Sequence, residues 1–156
     1  MLVALALVLS GFTIYRAPMG GSVTLGSTIP VCIVGLRSGP KVGLLAGLNF
    51  GILSFLTSGV LIGLGPFVMD YLIAFSVLGL TGFFRSYPLI SIMLVQLLRL
   101  FCHVVSGVLY FSQGKVFAEA LNYSLLYNAS FLIPDVILGL VFFTLLKKRS
   151  PDILKA

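Results

Sequence analysis

Pro88–Ser112 reads PLISIMLVQLLRLFCHVVSGVLYFS. At about 1.5 Å per residue, a helix of this length crosses a hydrocarbon core of about 30 Å. Its only basic side chains are Arg99 and His103. Such groups are costly in lipid unless they face a partner or a ligand, so each is a functional hypothesis by default. His103 is the single histidine of the chain, and Gly107 and Phe111 follow it at fourfold spacing, on one helix face. Tyr123 and Asn128 stand at the start of the next apolar segment. This polar set inside an apolar helix pair points to a small-molecule site within a membrane bundle.

The rest of the chain carries the same signature. Of its 156 residues 59% are hydrophobic and 9% charged, and the mean hydropathy is +1.17. No soluble domain of this size carries so little charge, so the chain reads as an all-α integral membrane protein. At about 20 residues per span it has room for six helices in a single domain over residues 1–156. It is too short for paired bundles, and no internal repeat is visible. The net charge of +6 does not signal nucleic acid, because no basic stripe lies on a polar face. Cys32 and Cys102 both lie in apolar runs and read as small buried hydrophobes rather than a disulfide. No Cys/His spacing suits a metal, no cofactor motif is present, and no catalytic or phosphate-cradling motif points to an enzyme.

Gly, Pro and charge bound the apolar runs. The first is Met1–Tyr15, without a basic n-region and short for a span. It reads as a first helix missing a turn or more at its beginning. A loop follows at Arg16–Gly26, then a short run Ser27–Leu36, then Val42–Leu56. The glycine-rich stretch Thr57–Gly65 is not expected to form one straight helix. The remaining spans are Pro66–Phe84, Pro88–Ser112 and Ala120–Leu146, with the tail Lys147–Ala156. With these bounds, Arg37, Lys41, Arg85, Lys147, Lys148, Arg149 and Lys155 share one side, and Arg16 and Lys115 lie opposite. The positive-inside rule then puts both termini in the cytoplasm.

Counting from the cytoplasmic ends places Arg99 and Asp135 at similar depth on antiparallel neighbours. They are expected to form a structural ion pair joining the last two helices. Asp70, His103, Asn128 and Tyr123 fall higher and converge in the outer half of the bundle. A cationic ligand would give Asp70 a charge-assisted contact, and Tyr71, Phe111 and Tyr123 would add stacking and cation–π attraction. The expected ligand is small, flat and cationic or amine-bearing. The plainer readings stand beside this one. His103 alone would serve as a helix–helix hydrogen bonder, Asp70 would simply pair with it, and Tyr123 would sit in an interfacial belt. Gly43, Gly47 and Gly51, with Ala46 beside them, form a small-residue stripe suited to close packing, and Gly79 and Gly82 read the same way.

Several stretches together resemble a known family. They are Ile29–Arg37, Gly43–Ser54 (GLLAGLNFGILS), Met69–Leu72 with Gly82–Arg85, Phe101–Gln113 (FCHVVSGVLYFSQ) and Asn122–Asn128 (NYSLLYN). In order and spacing this set is similar to the thiamine-binding S component of energy-coupling factor (ECF) transporters. The resemblance implies a six-transmembrane-helix bundle of the cell membrane with a vitamin pocket near its outer side. It also implies partners: a transmembrane coupling subunit and two cytoplasmic ATPases. By matching motifs, the family's acidic residue falls on Asp70, one methylene shorter than the usual Glu. Tyr71, His103, Gly107, Tyr123 and Asn128 match the family type, and Phe111 stands where the family has a stacking Trp. A second family Trp falls near Gly21, and a loop aromatic falls among Val60–Ile62. The ligand implied is thiamine or a close thiamine-like heterocycle. Alternative readings are an S component for another vitamin, a stand-alone proton-coupled carrier using Asp70 and His103, and a scaffold without transport.

Overall fold

Gly39 and Pro40 show how local chemistry divides this chain. Gly39 takes φ = +92°, a left-handed conformation that ends a helix at little cost without a Cβ. Pro40 then opens the next helix, where its missing N–H leaves no bond unmade. In the computed structural model, which describes residues 1–18, 20–58 and 63–154, the helices are α1 (Leu2–Gly11), α2 (Ile29–Ser38), α3 (Pro40–Ser58), α4 (Leu64–Phe84), α5 (Pro88–Tyr110) and α6 (Phe117–Arg149). A short 3₁₀ turn, Pro151–Leu154, packs Ile153 and Leu154 back onto the core. Helices α3 to α6 are long and apolar enough to cross a membrane, and α1 and α2 are shorter apolar helices.

Two sequence expectations are corrected. The first apolar run does not remain helical to Tyr15, because β1 (Thr13–Arg16) leaves α1 and pairs antiparallel with β2 (Ser22–Thr24). β-branched and aromatic residues at Thr13, Ile14 and Tyr15 favour the extended backbone. The expected loop Arg16–Gly26 is therefore largely a hairpin. The second correction concerns α6, which runs three residues beyond Ala120–Leu146 at each end and reaches about 50 Å at 1.5 Å per residue.

Helix α4 is irregular along its length. Phe67–Ile73 is π-helical and Val77–Phe84 is 3₁₀. A 3₁₀ helix repeats every three residues, so Gly79 and Gly82 fall in one row. The glycines of α3 meet this helix in register. A Cβ on Gly43, Gly47 or Gly51 would run into the carbonyl oxygen of Gly79, Phe75 or Tyr71 respectively. The fourfold spacing on one helix thus matches fourfold-spaced carbonyls on the other, and the backbones approach closely. Thr81 Oγ1 donates to the Cys32 carbonyl at 2.8 Å and ties α4 to α2. Both cysteines are free and buried.

Helix α6 turns an apolar stripe outward and buries three of its polar residues together with apolar ones such as Leu132 and Phe143. Ile133, Ile137, Val141 and Leu145 are exposed at fourfold spacing, whereas Ser124, Asn128 and Asp135 are buried. Along α5, Leu94, Leu97, Leu98 and Phe101 are likewise exposed. Water does not tolerate an apolar surface of this extent, so these faces belong in lipid.

Candidate functional site

The π-helical turn of α4 carries Asp70 and Tyr71. Widened turns of this kind cluster at functional sites. Here Asp70 faces α5. Its Oδ1 lies 2.8 Å from His103 Nδ1, and its Oδ2 accepts the Ser106 hydroxyl at 2.7 Å. Both carboxylate oxygens are therefore engaged from α5. The Asp70 contact assigns the imidazole proton to Nδ1. His103 Nε2 is then an acceptor, and it is buried with no partner among the described residues.

Asn128 joins the same level from α6. Its amide nitrogen donates to the Ser124 carbonyl at 2.9 Å and to the His103 carbonyl at 3.4 Å. Gly107 makes that approach sterically open, since a Cβ there would meet Ser124 Oγ. Ser124 Oγ in turn donates to the Val104 carbonyl at 2.9 Å.

These groups line a cavity of about 610 Å³. It is lined by every ligand-site residue expected from the sequence, namely Asp70, Tyr71, His103, Gly107, Phe111, Tyr123 and Asn128. Arg99 also lines it, whereas Asp135 lies behind its wall, with Arg99 Nη1 3.2 Å from Asp135 Oδ2. The volume suits one drug-sized heterocycle.

Two ring walls flank the cavity. On α4, Tyr71 lies 6.4 Å from both Phe67 and Phe75. On α6, Tyr123 stacks on Tyr127 at 6.4 Å, and Tyr127 meets Phe131 edge-on at 5.5 Å. Phe131 reaches His103 at 6.4 Å, and Lys115 Nζ sits 5.1 Å over the Tyr123 ring. Sequence reasoning missed Ser106, Tyr127 and Phe131. The available signal was spacing, since Tyr123, Tyr127 and Phe131 recur every fourth residue and Ser106 lies one turn beyond His103.

The hairpin closes the cavity from a third side. Gly21 N–H donates to Tyr127 Oη at 3.3 Å, and a Cβ on Gly21 would run into the Phe131 ring. Thr24 donates both its N–H (2.8 Å) and its hydroxyl (2.9 Å) to Asp135 Oδ1. Ala17 and Val23 pack with Phe131 and Leu132. Gly21→Val is accordingly expected to push Phe131 into the cavity and weaken ligand binding at least tenfold, measurable by titration calorimetry. Unchanged affinity would place Phe131 outside the ligand's space. The loop position expected among Val60–Ile62 lies outside the described residues.

Among the described residues no cluster of His, Cys, Asp and Glu suits a metal ion. Around the cavity stand one carboxylate, the His103 imidazole, two aromatic walls and the side chains of Arg16 and Arg99. The Asp70 carboxylate and the aromatic walls have the chemistry that suits a flat, cationic ring system.

The family model described as thiamine transporter protein (Thia_YuaJ) matches residues 1–155. The chain is also similar to the thiamine transporter ThiT of Bacillus subtilis (strain 168). The two are 31% identical over 158 residues, covering 89% of this chain and 81% of that protein.

Proposed function

The chain belongs to the thiamine transporter protein family, a multi-pass membrane family of the cell membrane, and on that premise we propose that it is the substrate-binding subunit of an ECF-type importer. It captures thiamine, or a close thiamine-like heterocycle, from outside. A separate transmembrane coupling subunit with two ATPases then drives uptake. The observation that carries this reading is the Asp70 carboxylate, held by His103 and Ser106 between two aromatic walls. Asp70 faces the charged ring or the amine of the ligand, and His103 holds the Asp70 carboxylate in place. Tyr71, Phe111 and Tyr123 stack, and Gly107 and Asn128 shape the inner wall. The chain has no Trp, and Tyr127 and Phe131 supply ring surface beside Gly21, where the resemblance expects another aromatic.

The bundle is a single domain with six spans and both termini cytoplasmic. Helices α1 and α2 cover only about 15 Å each. Each completes its crossing through an adjoining strand at about 3.3 Å per residue. Extended backbone at membrane depth is tolerated where it lines a cavity. Asp135 and Tyr127 satisfy Thr24 N–H and Gly21 N–H there.

Titration of the purified protein with thiamine, its pyrimidine precursor and other B vitamins tests the ligand. Saturable sub-micromolar binding of thiamine is expected. A response to riboflavin or biotin with none to thiamine overturns the assignment. The Asp70–His103 contact also suits a second reading, a stand-alone proton-coupled carrier. Vesicles separate the two. Uptake is expected only with the coupling module and ATP. Uptake without the module that follows the proton gradient would establish the second reading instead.

A further inference from the structure

Arg99 is a permanent cation lining a cavity assigned to a cationic ligand. Its side chain is only 8% exposed. Nη1 lies 3.2 Å from Asp135 Oδ2 and 3.5 Å from Gln96 Oε1. The guanidinium carbon sits 5.0 Å over the Phe75 ring. Its Nε–H is buried with no partner among the described residues. Asp135 is 1% exposed, and its second oxygen is taken by Thr24. The cation therefore faces the cavity while its counter-charge is locked behind the wall.

Resting on the thiamine-site reading, we infer that Asp135 is a specificity-determining positioning residue: it cancels the field of Arg99 inside the cavity, so that Asp70 selects a cation. Arg99 lies one helical turn from His103, about 6 Å of rise. At that range, in a site of low dielectric, a lone guanidinium repels a cationic ring and competes for Asp70. Paired with Asp135 it acts as a dipole, whose field falls off faster. The other cavity-lining cation, Arg16, is on the hairpin and exposed, where solvent screens it.

Opposite-sign variants separate this role from simple scaffolding. Asp135→Asn keeps the shape and an acceptor for Thr24 N–H but removes the charge. Arg99→Gln removes the cation and leaves Asp135 uncompensated. The probes are thiamine and an uncharged isostere with carbon in place of the quaternary ring nitrogen, titrated into the full chain in nanodiscs. Asp135→Asn is expected to lower the thiamine-to-isostere affinity ratio at least tenfold, and Arg99→Gln to raise it at least threefold. The double variant, with no buried charge to strand, is expected to fold and to return the ratio to within threefold of wild type. Equal losses for both probes, or a ratio that moves the same way in both single variants, would overturn the inference. If Asp135→Asn does not fold, Arg99→Gln and the double variant decide it by the same ratio. Failure of the wild type to bind thiamine overturns the ligand assignment and this inference with it. A binding wild type with an unmoved ratio overturns this inference alone.

Discussion

Asp70→Asn is expected to weaken thiamine binding at least a hundredfold while moving the melting temperature of the empty protein by only a few degrees. The charge contributes most of that loss. At about 5 Å and an effective dielectric near 20, a carboxylate and a cationic ring attract by about 3 kcal/mol, and each 1.4 kcal/mol is a factor of ten in affinity. The fold is spared because asparagine preserves the local hydrogen bonds. Its amide oxygen still accepts the Ser106 hydroxyl. Its amide nitrogen faces His103 Nδ1, which accepts once the imidazole proton moves to Nε2. Calorimetric titration beside a thermal melt in detergent checks both halves. An affinity within threefold of wild type would remove Asp70 from the site.

Gly79→Ala is expected to destabilise the bundle by more than about 3 kcal/mol, at or beyond the upper end of the usual cost of overpacking. A Cβ at this position would run into backbone atoms of Gly43 and Leu44. Backbone in a packed helix cannot rotate away as a side chain can, so α3 and α4 must separate. The same movement would carry the π-helical turn, and Asp70 with it, away from α5. A loss of about 10 °C in melting temperature is expected, with thiamine binding weakened in parallel. Gly11→Ala is the control. No neighbouring atom lies within 4 Å of a Cβ there, and alanine favours a helix over glycine, so the melting temperature should hold or rise. Equal behaviour of the two variants would mean that glycine packing does not hold α3 against α4.

Parts of this site were readable because they depend on position along a single axis. Asp70, His103 and Asn128 were matched by counting residues from helix ends, and the structure brings them within hydrogen-bonding range of one another or of a shared neighbour. Depth is nearly one-dimensional in a bundle of antiparallel helices, so a rise of about 1.5 Å per residue carries far. Rotation about the helix axis does not follow from such counting. The sequence therefore does not distinguish Tyr127 and Phe131 from lipid-facing rings, and only the rotation of α6 turns them to the cavity.

Hydropathy is a sum over consecutive residues, and a side chain's cost in lipid is a property of its own chemistry. The sequence by itself therefore determined that the chain lives in a membrane, where its long spans lie and which few polar residues are costly there. The hairpin, the irregular course of α4 and the placement of Asp135 behind the cavity wall were decided by tertiary structure alone. Each depends on which atoms from distant segments meet. Thr24 lies far from Asp135 in sequence, and Gly43 far from Gly79. No local pattern states that an N–H of one finds an acceptor on the other, or that two backbones touch where neither residue has a side chain.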